Sequence, residues 1–218
     1  MGPTLIAIQL PASESGYPKD IDVLFLTCQK PPTCFVNDDG TSRIVQVNKE
    51  IVVAHTGIAA DGRKVVTDAI RAAVEHKYTF DEDVPLEKFL EDLSMLFQKY
   101  SMMPGARPFG CSILVCYISQ YASPGGYDVR PHFYRIDPSG LVQNISESII
   151  VLGNQAEEVK ALFLEEYRNN QIKNSQDAVK LASKLTTSPL TSSNKDSLWN
   201  KANSRVLVAK FSASLGLR

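Results

Sequence analysis

Apolar positions along this chain pass from strand-like runs to helical spacing and back, twice over. Thr4 to Leu10 and Asp22 to Cys28 are β-rich apolar segments, joined by the proline, serine and glycine of Pro11 to Asp20, which mark a surface loop. Asn37-Asp38-Asp39-Gly40 has turn chemistry, and Arg43 to Asn48 with Ile51 to Thr56 flank Lys49-Glu50 as a hairpin. The period then changes. Val66, Ala69, Ile70 and Ala73 recur at helical spacing between Asp61 and Tyr78, and Leu86, Phe89, Leu93, Phe97 and Tyr100 do so again after Pro85.

Cys111 to Ile118 is apolar at nearly every position, which suits a central strand covered on both faces. His132 to Ile136, Leu141 to Ile145 and Ser148 to Leu152 read as further strands, the first two joined by an Asp137-Pro138-Ser139-Gly140 turn. Gln120 to Arg130 reads as a long loop. Ala156, Val159, Phe163 and Tyr167 predict a third helix, and Ala178, Leu181, Ala182 and Leu185 a fourth. A Ser/Thr-rich loop, Thr186 to Ser197, precedes a last strand from Arg205 to Lys210. Strands, two helices, strands and two helices is the order of an α+β sandwich: two antiparallel sheets, each with a helix pair on its outer face.

Composition narrows the function classes. A chain of 218 residues can bury one core, and a single domain over 1–218 is expected. Lys and Arg total 23 against 24 acidic residues, and no basic run interleaves with aromatics, so nucleic acid is not an expected partner. No apolar run approaches the roughly 20 residues that a bilayer demands, so no membrane partner is expected either. The start of the chain has no secretory-signal pattern. Cys28, Cys34, Cys111 and Cys116 lack paired metal or redox spacing, which predicts buried thiols, no metal or other cofactor, and a cytoplasmic or nuclear setting.

Two strings flank the helical stretch. In Gly57-Ile58-Ala59-Ala60-Asp61-Gly62-Arg63, a glycine closes a strand and Asp61 is placed to meet free helix N–H groups. In Arg107-Pro108-Phe109-Gly110-Cys111-Ser112, a proline opens a strand where no ladder N–H is needed. His55 near a strand end reads as a structural histidine rather than a triad member, and Asp38-Asp39 and Glu165-Glu166 read as solvated charge.

With the Asp137-Pro138-Ser139-Gly140 turn, these strings closely resemble a proteasome alpha-type subunit, over most of the chain from Gly2 to about Arg205. The resemblance implies the four-layer αββα fold of the N-terminal nucleophile hydrolases. Active relatives of that fold attack with an N-terminal threonine, its own amine taking the proton. Aligned on their Gly-Thr junction, this chain has Pro3 at the nucleophile, Cys28 at the supporting aspartate and Arg43 at the supporting lysine. No catalytic residue is expected. An active hydrolase exposing Thr41 after cleavage at Gly40-Thr41, and an assembly factor imitating a subunit, are the alternatives.

The implied role is a place in the heptameric outer ring of the proteasome core particle, beside other alpha-type subunits and against beta-type ones, in ubiquitin-dependent degradation. The helix pair from Asp61 to Tyr100 is the implied ring-to-ring contact. Arg43, with backbone at Gly57 and Gly2, matches the pocket that receives the C-terminal carboxylate of the regulatory particle or other activators; a solvated arginine at a strand start is the alternative reading of Arg43. The tail with a Tyr-Asp-Arg element and the helix that ordinarily precede the strand at Thr4 are not in this sequence, so either gating falls to other subunits or the sequence is a piece of a longer chain.

Overall fold

A computed structural model describes residues 4–9, 22–29, 42–123, 126–153, 156–169, 205–212 and 216–217, with Asp177 and Lys180. Ten strands and three helices lie in these residues: β1 (Thr4–Gln9), β2 (Asp22–Gln29), β3 (Ile44–Gln46), β4 (Ile51–Gly57), α1 (Ala59–Phe80), α2 (Leu86–Met102) and β5 (Cys111–Ser123). β6 (Gly126–Ile136), β7 (Val142–Ile145), β8 (Ile149–Leu152), α3 (Ala156–Arg168), β9 (Arg205–Ser212) and β10 (Gly216–Leu217) complete them. The turn at Asn37–Gly40, the loop 11–20, the Ser/Thr-rich loop and, Lys180 apart, the helix expected over Ala178 to Leu185 lie outside the described residues.

Two five-stranded antiparallel sheets form, one ordered β10-β9-β2-β1-β8 and the other β3-β4-β5-β6-β7. Strand alternation decides which layer each side chain enters. Leu5, Ala7, Val23, Phe25, Val52, Ala54, Leu114 and Cys116 turn inward and make the core between the sheets. Their neighbours Ile51, Val53, Ile113 and Val115 turn outward and are covered by Val65, Ala69, Phe89, Leu93 and Phe97 of α1 and α2. On the other outer face α3 packs against β8 and buries Val159 and Phe163. The layers are therefore helix, sheet, sheet, helix, and the apolar run from Cys111, broken only by Ser112, reflects burial on both faces of its sheet.

Pro85 stands just before α2, where its missing N–H costs nothing, and its carbonyl accepts from Phe89 N–H at 3.0 Å. The Asp137–Gly140 turn joins β6 to β7 as expected, with Gly140 at φ +87° and its N–H on Asp137 O at 2.8 Å. It docks on α2, because Ser94 Oγ donates to Gly140 O at 2.7 Å and Ser101 Oγ to Pro138 O at 3.0 Å.

One expectation is overturned. Gln120 to Arg130 is not a loop: β5 and β6 stay paired from Ile113↔Ile136 to Ser123↔Gly126. Ser123, Pro124, Gly125 and Gly126 carry turn chemistry, but the residues on either side keep strand register and extend the hairpin beyond the sheet.

Candidate functional site

The two strings that flank the helices meet at one end of the β3–β7 sheet. β4 closes at Gly57, whose φ of +102° and whose approach to Gly110 exclude a side chain: a Cβ there would lie 2.4 Å from the Gly110 carbonyl oxygen. Ile58 N–H donates to that same carbonyl at 2.9 Å. The pairing Gly57↔Cys111 then carries the register into β5.

Asp61 does not cap α1. It lies inside the first turn, and Ile58 at the cap position makes no side-chain hydrogen bond. Its carboxylate instead reaches across the fold: Oδ2 accepts from Arg107 Nη1 at 2.6 Å and from Gly110 N–H at 2.8 Å, and Oδ1 accepts from Arg107 Nη2 at 2.8 Å. This bidentate pair, chiefly the guanidinium hydrogen bonds, holds the Asp61 carboxyl below the usual carboxylate range. Arg107 also donates to Pro108 O, while Phe109 sits edge-on to Phe97 and tilted on Tyr100, with ring centroids 5.4 and 4.5 Å away. These motif residues thus form a structural clasp between helix and strand; Arg63 is exposed beside it.

Arg43 is buried, with 7% of its surface exposed, and so is not a solvated arginine at a strand start. Its Nη1 lies 3.5 Å from His55 Nδ1 and donates toward Gly57 O at the same distance. A guanidinium can only donate, so His55 Nδ1 presents its lone pair and the ring proton resides on Nε2. Burial first, then the charges of Arg43 and Arg63, push the His55 imidazole down to about 4. The ring is neutral at pH 7. Gly62 packs on it so closely that a Cβ would lie 2.1 Å from Nδ1, a constraint that nothing in the sequence pattern announces.

Beside Gly57 opens a cavity of about 440 Å³, lined by Thr56, Gly57, Gly110, Ser112, Arg135 and Gly153 among others. Arg135 Nε is held by Asp137 at 2.8 Å. The charge of Arg135 in this lining is offset by Asp137, and Arg43 and His55 are not among the lining residues. Among the described residues no group of three His, Cys, Asp or Glu could hold a metal ion. Cys111 and Cys116 are buried free thiols, the first pushed up to about 12 by burial and the Asp61 charge, the second raised by burial alone.

Of the positions aligned with catalytic groups, Pro3 lies outside the described residues, as do Gly2 and Thr41. Cys28 stands in β2 opposite Thr4 and Val206. Of the expected tail-pocket residues, Arg43 and Gly57 are brought together.

A family profile described as Proteasome subunit matches residues 22–197. Proteasome subunit alpha type-7-1 of Drosophila melanogaster is 29% identical over 147 residues, covering 66% of this chain and 55% of its own length. Proteasome subunit alpha type-8 of Mus musculus is 28% identical over 176 residues, 80% of this chain and 67% of its own. The proteasome subunit alpha of Pyrococcus horikoshii is 28% identical over 147 residues, 67% of this chain and 52% of its own. The matched stretch thus spans between about half and two thirds of these relatives. The fold, the Gly57–Asp61–Arg107–Gly110 clasp and this coverage agree: the chain belongs to the proteasome subunit family, within its alpha type.

Proposed function

We propose that this chain is a non-catalytic alpha-type subunit of the proteasome core particle, one member of a heptameric outer ring. In that place it contacts neighbouring alpha-type subunits and, through α1 and α2, a beta-type ring, and it works in ubiquitin-dependent degradation in cytoplasm and nucleus. The observation that carries the non-catalytic role is the residue set at the aligned catalytic positions. Pro3 has neither hydroxyl nor primary amine, Cys28 replaces a carboxylate, and Arg43 is a group that does not give up its proton near neutrality. An electrophilic threonine probe applied to the purified particle is expected to label other subunits and leave this chain unlabelled; labelling of this chain sinks the proposal.

The Gly57 end is the proposed receptor for an activator's C-terminal carboxylate. Arg43 offers a permanent cation there, in a planar fork of donors that suits a carboxylate. Arg43→Ala is expected to weaken binding of a synthetic activator-tail peptide to the particle at least fivefold, while Arg43→Lys retains most of it. Equal affinity for Arg43→Ala in an intact ring would falsify the assignment.

A further inference from the structure

Arg43, Arg107 and Arg135 all stand at the Gly57 end, and their surroundings differ. Arg107 is gripped by the Asp61 carboxylate and Arg135 by that of Asp137, so in each pair a negative charge answers the positive one. Arg43 has two neutral acceptors among its partners, His55 Nδ1 and Gly57 O, both facing Nη1 at 3.5 Å. The backbone sets the first of these contacts. Ile44 lies opposite Ala54 in the β3–β4 ladder, and one step on, His55 N–H donates to Arg43 O at 3.0 Å, which puts Arg43 and His55 side by side across the strands.

Alternation sends His55 to the sheet face that carries Ile51 and Val53, the one covered by α1 and α2. There the first turn of α1 encloses the imidazole, which is 2% exposed. Gly62 makes the room. A Cβ on it would lie 2.1 Å from Nδ1 and 2.6 Å from both Cε1 and Cγ, so the ring occupies space that a side chain at 62 would claim. Burial, with the charges of Arg43 and Arg63, keeps this ring neutral at pH 7, and only a neutral ring has the lone pair that Nη1 meets.

We propose that His55, seated against Gly62, is a positioning residue for the carboxylate receptor at Arg43, holding one edge of the guanidinium through an acceptor that brings no negative charge. The role rests on the tail-receptor reading above and adds the residue that aims it. Arginine presents its donors on a planar fork, so the edge that the protein holds decides which edge a ligand meets. A carboxylate in place of the imidazole would grip the guanidinium as Asp61 grips Arg107 and would compete with the tail for it. An apolar side chain would fill the seat and let the guanidinium turn.

The test measures binding of the synthetic activator-tail peptide to intact particles carrying variants of this chain. His55→Gln, neutral and still able to accept, is expected to bind within about twofold of the natural chain, and His55→Leu at least about threefold more weakly. His55→Glu is expected to lose as much as Arg43→Ala does. Gly62→Ala keeps Arg43 and His55 in the chain but takes the ring's place, and is expected to weaken binding by about the same factor as His55→Leu. In an Arg43→Ala chain, His55→Leu is expected to cause no further loss, because no guanidinium remains to be aimed. A further loss there, or binding at the natural level by an assembled His55→Leu or Gly62→Ala particle, would overturn the positioning role and leave the receptor standing. Natural binding by Arg43→Ala would overturn both.

Discussion

His55 and Asp61 stand six residues apart but respond to acid in separate windows. An unfolded imidazole titrates near 6.5, whereas the folded one is held down to about 4. Above 6.5 both states are neutral and the group contributes no slope. Between 6.5 and 4 the unfolded chain takes up a proton that the folded chain refuses, so stability falls as pH falls, by about 3 kcal/mol in all. Asp61 acts lower: its carboxyl is held below 3.8, so its stabilisation is present above that value and is lost as pH drops through the folded one. His55→Gln, which can still accept from Arg43, is therefore expected to flatten the melting temperature between pH 6.5 and 4 and to leave the acid limb below 4 intact. A wild-type slope in the variant would remove His55 as its source. Asp61→Ala leaves the Gly110 N–H without its acceptor and is expected to cost about 2 kcal/mol in urea unfolding. Arg107→Ala is expected to cost less, since the side chain of Arg107 is 65% exposed while that of Asp61 is nearly covered.

Helices and strands here were readable because their periods are local. The helix expected over Asp61 to Tyr78 occupies Ala59–Phe80, and the one expected after Pro85 occupies Leu86–Met102, each with its buried stripe where the spacing put it. The Asp137–Gly140 turn was readable for the same reason. What the local pattern could not supply was partnership across the chain. Asp61 looked like a cap because a carboxylate near a helix start usually is one, and its real partners lie 46 and 49 residues away. The β5–β6 ribbon looked like a loop because Ser, Pro and Gly at its tip carry turn chemistry, whereas its strand character comes from cross-strand register. Arg43 looked solvated because only the third dimension brings Gly57 and His55 around it. The docked turn offers a test at this scale. A Cβ on Gly140 would lie 2.7 Å from Gln98 Cγ and 2.8 Å from the Ser94 carbonyl, with φ already at +87°. Gly140→Ala is expected to destabilise by about 2–3 kcal/mol, from backbone strain and overpacking together, whereas Ser101→Ala, which removes a hydroxyl shared between Pro138 O and Phe97 O, is expected to cost well under half of that. Equal effects in thermal unfolding would mean that the turn does not depend on its seat against α2.

The strand order bears on whether Thr41 could be released as a nucleophile. In the sheet ordered β10-β9-β2-β1-β8, the two strands that precede residue 41 are the central pair: β1 joins β2 to β8, and β2 joins β1 to β9. Cleavage at Gly40-Thr41 with loss of the preceding segment would leave β8 with no neighbour among the described strands and cut β9 from the rest of the sheet. It would also strip Leu5, Ala7, Val23 and Phe25 from the core between the sheets. Burial of Leu5, Val23 and Phe25 is worth roughly 1.5–3 kcal/mol each, so their loss alone is comparable with the net stability of about 5–15 kcal/mol that a domain holds. Retaining the cut segment non-covalently would keep the core, with β1 and β2 still paired in register. The intact mass of the chain recovered from the particle is therefore expected to show no product beginning at Thr41. A mature form starting there, with a threonine-directed probe attached to it, would mean that the sandwich tolerates loss or nicking of its central strands and that this subunit carries its own nucleophile.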